Sequence, residues 1–270
     1  MKKYSLWLLL ACATLLAQAQ PDEKPKGIAV RPVTLEYGLS PNQSASQLVR
    51  VTNALDETKQ FVVYLSDWLR DTTGAHVYTP PGEIERSCAG WIQLNKNFFE
   101  LGPGETEELV VTMQHPSDSI RRERMTWCML FVETTQEKKI KDTSGMTTTI
   151  ANKFRVGIHV YQTPPQATKK EVKLIDFMAM GTDNKKIRVV CQNQGEVQLQ
   201  CASQLEISSS NGNQPIRLPR REFPLFPAQI RYIDYELPST LTPGKYRLTA
   251  VLDAGTDIPL EAAQIEVEIN

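Results

Sequence analysis

Histidine and cysteine are the side chains here best suited to chemistry, and both are scarce. The three histidines, His76, His115 and His159, are far apart in the chain. His115 precedes Pro116 in a segment that reads as a loop, and His159 lies in a strand-like run on the parity of Gly157 and Tyr161. None has a Cys or His at metal-ligand spacing, so neither a metal centre nor a Cys–His nucleophile is expected. The carboxylate pairs Glu83/Glu85 and Glu107/Glu108 look like solvated strand faces, and nothing selects two of them to flank a scissile bond. No acidic loop has calcium spacing. Gly102 and Gly104 sit in a turn between strands rather than ahead of a helix, so they make no phosphate cradle. The expectation is a non-enzymatic protein without cofactors.

The amino terminus sets the compartment. Lys2 and Lys3 precede an apolar run at 6–17 (LWLLLACATLLA), and Ala17-Gln18-Ala19 offers small residues where a signal peptidase cuts. Residues 1–19 therefore read as a signal peptide, and the protein as exported to the periplasm. The run is too short to span a bilayer, so no transmembrane anchor is expected. Cys12 in 9–12 (LLAC) loosely resembles a lipobox. The apolar run continuing past it argues against a lipid anchor. Removing Lys2 and Lys3 leaves 28 basic against 31 acidic residues, a balance that gives no electrostatic reason for a nucleic-acid partner.

Four cysteines remain beyond the leader: Cys88, Cys128, Cys191 and Cys201. Export permits disulfides, and pairing within each half (Cys88–Cys128, Cys191–Cys201) is the simplest of three arrangements. The alternative is buried free thiols that pack as small hydrophobes.

What remains of the chain reads as strands and turns. Residues 20–26 form a polar arm. From Gly27, short runs rich in β-branched and aromatic residues recur: 28–30 (IAV), 47–52 (QLVRVT), 60–65 (QFVVYL), 126–132 (TWCMLFV) and 154–161 (FRVGIHVY). The Pro103-Gly104 turn in 91–113 sets the strand carrying Leu109, Val111 and Met113. A helical turn is possible around 118–124. Residues 134–152 are polar and threonine-rich and read as a long hairpin loop, with an extra strand at 146–150 as the alternative.

Two prolines and two lysines in 162–170 (QTPPQATKK) mark a seam. The second half repeats the grammar. Ile187, Val189 and Cys191 share one parity, as do Val197, Leu199 and Cys201, and Pro243-Gly244 echoes Pro103-Gly104. The expected architecture is all-β, with two tandem immunoglobulin-like sandwiches at 27–163 and 171–270 joined by a linker at 164–170. The basic clusters at 121–124 (RRER) and 217–221 (RLPRR) read as exposed loops. In the second, Arg220 and Arg221 lead into Phe223 among prolines, a composition suited to an interface.

Residues 27–32 (GIAVRP), 48–53 (LVRVTN), 91–113 and 126–132 together resemble the amino-terminal domain of PapD-like periplasmic chaperones. The second half, through 189–195 (VVCQNQG), 205–212 and 241–252 (LTPGKYRLTAVL), resembles a generic bacterial Ig-like module. The resemblance implies strand donation to another envelope or secreted protein, with basic cleft residues holding that protein's terminal carboxylate. On this sequence Arg31 stands in the first-strand region. The family's lysine position falls on or near Val156, with Arg155 and Lys153 the nearest basic side chains. Val156, Ile158 and Val160 keep the apolar alternation of a donor strand. The function expected is a chaperone or an accessory component of an envelope assembly or secretion machine. The runner-up is a carbohydrate- or cell-wall-binding sandwich that uses Trp68 as an exposed platform, Trp91 and Trp127 being expected in the core.

Overall fold

A computed structural model describes residues 27–117, 124–141, 147–209 and 214–269. The expected leader, the arm, Cys12 and nearly all of the helical turn at 118–124 lie outside them. Among the described residues, the first half carries ten strands: β1 (Gly27–Arg31), β2 (Thr34–Tyr37), β3 (Ser44–Ala54), β4 (Lys59–Arg70), β5 (His76–Thr79), β6 (Ile92–Leu94), β7 (Phe98–Leu101), β8 (Thr106–Gln114), β9 (Thr126–Lys141) and β10 (Thr147–Gln162). The second carries eight: β11 (Val172–Met180), β12 (Lys186–Asn193), β13 (Leu199–Ser209), β14 (Ile216–Arg217), β15 (Arg221–Leu225), β16 (Ile230–Glu236), β17 (Gly244–Asp253) and β18 (Glu261–Ile269).

In the first half, a four-stranded sheet β1-β3-β8-β6 packs on a sheet β2-β10-β9-β4-β5 to which β7 is added through β4. Val49, Val51, Leu109, Val111 and Met113 from one sheet meet Phe61, Val63, Leu130, Ile158 and Val160 from the other in a single core. In the second half, β11-β12-β16 faces β14-β13-β17-β18, with β15 alongside β13. Ile187, Val189 and Cys191 oppose Leu205, Ile207 and Leu248 there. The chain is all-β, two tandem sandwiches, each burying the inward parity of its strands.

A buried asparagine marks the equivalent place in both sandwiches. Asn53 and Asn193 are each 0 % exposed at the end of a strand. The Asn53 side-chain amide donates to the Glu57 carbonyl (2.8 Å) and the Leu101 carbonyl (2.9 Å), while its oxygen accepts from Leu55 N. Asn193 donates to Val197 O (2.8 Å) and Leu225 O (2.9 Å) and accepts from Gly195 N. One planar amide thus satisfies turn groups that burial would otherwise leave without partners.

The described parts of 134–152 differ from the expected loop and agree with the alternative of a strand at 146–150, which from Thr147 is the start of β10. β9 and β10 pair without interruption from Thr126↔Gln162 out to Lys141↔Thr147. The same threonines that make this segment polar favour extended backbone, and the strands continue past the sandwich as a two-stranded arm.

The apolar run on β9 also has a structural explanation. Cys128, Leu130 and Val132 enter the first core, while Trp127, Met129 and Phe131 form a second cluster on the opposite face with Trp68, Met125 and Phe226. A strand covered on both sides need not alternate. Phe226 belongs to the second half, so this cluster lies between the domains. The junction is clamped at two more places. Arg86 Nη2 donates to Glu196 Oε2 at 2.6 Å beside a Met125 N–Glu196 O bond. At the other place, Tyr232 N donates to Thr72 O at 2.8 Å from the tip of the β4–β5 hairpin.

Candidate partner-binding strand and cleft

The feature that stands out is the free edge of β10. On one side β10 pairs with β9 along its whole length. On the other it meets β2 only at His159–Gln162, in parallel register His159↔Thr34 to Gln162↔Tyr37. Among the described residues, positions 147–158 have no strand on that edge. From Phe154 to Val160 the inward side chains grade from wet to dry: Phe154 is 51 % exposed, Val156 is half-buried against the core, and Ile158 and Val160 are 0 % exposed.

That gradient corrects two of the expected contact residues. The side chains of Ile158 and Val160 fill the first core and cannot touch a partner while the domain is folded. Among the described side chains of the same row, Phe154 is the most exposed apolar one, followed by half-buried Val156.

The opposite face of β10 looks onto the cleft between the domains. Arg155 lies over the Phe131 ring (4.2 Å) and near Tyr78 (5.4 Å), and its Nη1 donates to the Tyr64 hydroxyl. That hydroxyl donates in turn to Glu133 at 2.9 Å, and Lys153 Nζ donates to the same carboxylate at 3.0 Å. Lys153 and then Tyr64 hold the Glu133 carboxyl below the usual carboxylate range. Gly157 follows between Arg155 and His159. A Cβ there would come within 2.9 Å of Met129 Sδ, so glycine is what lets the β9 side chains fill the cleft floor.

The expected basic anchors are not assembled into one site. Arg31 is exposed on β1, in the four-stranded sheet, opposite Arg50. The strand that does sit beside β10 is β2, where Thr34 pairs with His159. Arg155 and Lys153 are engaged with their own sheet. In the second domain Arg220 pairs with Asp253 (3.1 Å) and Arg221 covers Tyr235 (4.9 Å). Phe223, expected at an interface, is 5 % exposed within the second core. Its parity on β15 turns it inward with Leu225, away from any partner.

Trp68 likewise is no platform. It is 0 % exposed, its indole N–H donates to the Cys128 carbonyl (3.1 Å), and it packs edge-on to Phe226 at 4.9 Å. The exposed aromatic surface that glycan binding required at this position is absent. Sequence reasoning also missed the cleft group around it, His76, His159, Arg70 and Phe226. The unbroken apolar run 126–132 and the proline-flanked 223–227 (FPLFP) were the available signals that β9 and the second domain share a buried face.

The four described cysteines are buried free thiols. The expected bridges are not formed, although Cys88 Sγ and Cys128 Sγ are 3.5 Å apart. Burial pushes the Cys128 thiol well up, and those of Cys191 and Cys201 up to about 12. Such thiols stay protonated and are poor nucleophiles.

The chain is similar to solved fimbrial chaperones. A chaperone–tip adhesin complex of CFA/I fimbriae matches at 11 % identity and a TM-score of 0.48, over 89 % of this chain and 98 % of that one. The class 5 fimbriae chaperone CfaA matches at 12 % identity, TM-score 0.47, with the same coverage. The Escherichia coli chaperone DraB matches at 13 % identity, TM-score 0.44, over 90 % of this chain and 98 % of that one. No protein-family model and no curated protein matches the chain. Among the described residues no group of three or more His, Cys, Asp or Glu side chains could hold a metal ion. None of the described helices is long and apolar enough to cross a membrane.

Proposed function

We propose that this protein is a PapD-like assembly chaperone, or a fixed accessory part, of a cell-envelope machine, and that it binds its partner by lending the free edge of β10. One observation carries the reading: β10 is held on one edge by β9, while positions 147–158 keep unpaired main-chain groups on the other. An incomplete sandwich in a partner protein could take this edge as its missing strand. Main-chain hydrogen bonds would give affinity, and the half-exposed Phe154 would enter a pocket. The leader at 1–19 supports export to the periplasm, where such partners fold. We place the domain limits at 27–163, 164–170 and 171–270, a reading supported by the change of sheets between β10 and β11.

The test is a photoreactive amino acid placed at exposed Lys153, with Leu260 (64 % exposed, in the second domain) as the control position. In the native host, irradiation should give a defined adduct from position 153 and none from 260. A transient chaperone gives an adduct in substoichiometric amount that turns over, and a fixed component gives one at constant ratio. Recovery of the bare monomer from both positions overturns the proposal.

A further inference from the structure

His76 and His159 are brought together from opposite parts of the sheet. β5 stands at one margin of the order β2-β10-β9-β4-β5, with two strands between it and β10. The β4–β5 ribbon nevertheless curls over the sheet face. His76 Nε2 and His159 Nε2 lie 3.3 Å apart, both half-buried, and both rings pack on Trp68 (4.7 and 5.1 Å).

We propose that His76 and His159 form a two-imidazole binding site for Zn²⁺, the remaining coordination positions being open to water or to a partner's ligand. The separation suits the ion. Two Zn–N bonds of about 2.05 Å spanning the 3.3 Å separation subtend about 107°, a tetrahedral angle. A square-planar ion would bring cis nitrogens to about 2.8 Å. Without a metal, the same contact is a long hydrogen bond in which one ring donates and the other accepts.

Ligation takes the neutral imidazole. Tyr161 stacks on His159 at 5.8 Å and, with Trp68, fixes that ring. Arg70 is the charged side chain acting on both rings. It opposes a dication, so the site is weaker than an isolated histidine pair of this geometry would be. A bound ion would tie β10 to the hairpin whose tip, Asp71 to Ala75, touches the second domain through Thr72.

The experiment is calorimetric titration of tag-free mature protein with Zn²⁺, and with Mg²⁺ as control, followed by Co²⁺ absorption spectroscopy. One equivalent of Zn²⁺ should bind, and Co²⁺ should show the intense visible bands of a tetrahedral complex. His76→Gln and His159→Gln should each weaken Zn²⁺ at least about tenfold. His115→Gln should leave binding unchanged, and Arg70→Gln should tighten it severalfold. His76→Gln, on the β5 ribbon at the sheet margin, keeps the test valid if His159→Gln fails to fold. No stoichiometric Zn²⁺ binding, or binding that survives both His76→Gln and His159→Gln, overturns the proposal. Either result leaves strand donation by β10 untouched.

Discussion

Ile158 and Phe154 share a face of β10, four residues apart, and separate folding from binding. Consider Asp at each. Ile158 is 0 % exposed. Losing its buried side chain costs about 2–5 kcal/mol. Keeping an aspartate protonated at pH 7, the cheaper alternative to burying its charge, costs about 4 kcal/mol more. The sum, about 6–9 kcal/mol, approaches the whole stability of a typical domain, so Ile158→Asp should not fold. Phe154 is 51 % exposed, and half of a phenylalanine side chain is about 100 Å². The buried half limits the stability loss in Phe154→Asp to about 2.5 kcal/mol. The exposed half, once covered by a partner, is worth a similar amount at about 25 cal/mol per Å². Losing it weakens binding by about 70-fold.

Two readouts are needed. Thermal unfolding of the purified protein should show a two-state loss for Phe154→Asp of a few degrees and no cooperative transition for Ile158→Asp. Photo-crosslinking from position 153 in the native host should give full adduct for the parent chain and almost none for folded Phe154→Asp. A folded Phe154→Asp with undiminished adduct refutes the assignment of this row as the donor. Equal destabilisation by the two substitutions would place Phe154 in the core and refute the structural reasoning as well.

Further outcomes are expected. Asn53→Ala and Asn193→Ala each strand a buried N–H and two carbonyls and should cost about 3–5 kcal/mol, each mainly in its own domain's calorimetric transition. Purified protein treated with a mild oxidant should then titrate two of the four described thiols in denaturant rather than all four, because the Cys88 and Cys128 sulfurs, 3.5 Å apart, need only a small side-chain shift to bond. Four would show that burial excludes the oxidant. His159, pushed down to about 4, binds its proton more readily in the unfolded chain. Stability should therefore fall as pH drops from about 6.5 toward 4, by at most about 3 kcal/mol, and His159→Gln should flatten that part of the melting-temperature curve.

The sequence made the strands legible wherever one face was wet. The alternation at 187–191 and 197–201 predicted the buried parity correctly, but the Pro-Gly echo misled: the turn that meets Asn193 as Gly104 meets Asn53 is Pro227-Ala228 ahead of β16, not Pro243-Gly244 ahead of β17. Legibility failed where a second burial partner came from far away. Trp68 looked exposed because its covers, Trp127 and Phe226, lie 59 and 158 residues further on. Ile158 looked like a contact residue because alternation gives the parity of a side chain and not its depth along the sandwich. Residues 134–152 read as a loop by their polarity, while their β-branched threonines favour the strand seen in the described part. The His76–His159 contact depends on how strongly a ribbon curls, and no local pattern encodes that.

The division of β10 has an energetic consequence for any partner. A free segment that must become a strand loses about 1–2 kcal/mol of backbone entropy per residue. Here that loss is met in advance. The carboxyl-terminal part of β10 is anchored by Ile158 and Val160 in the core, and positions 147–158 are held in register by β9. A partner supplying an open sheet edge meets a strand already extended, so more of the main-chain hydrogen bonding appears as affinity. The same exposed edges would invite self-association, and the sequence opposes it. Lys138, Lys139 and Lys141 crowd the outer stretch of β9, where β4 no longer pairs, and lysine on a free edge disfavours pairing with a second copy. A strand held extended in this way, with lysines in the sequence of its neighbour, suits the proposal that β10 completes another protein's fold.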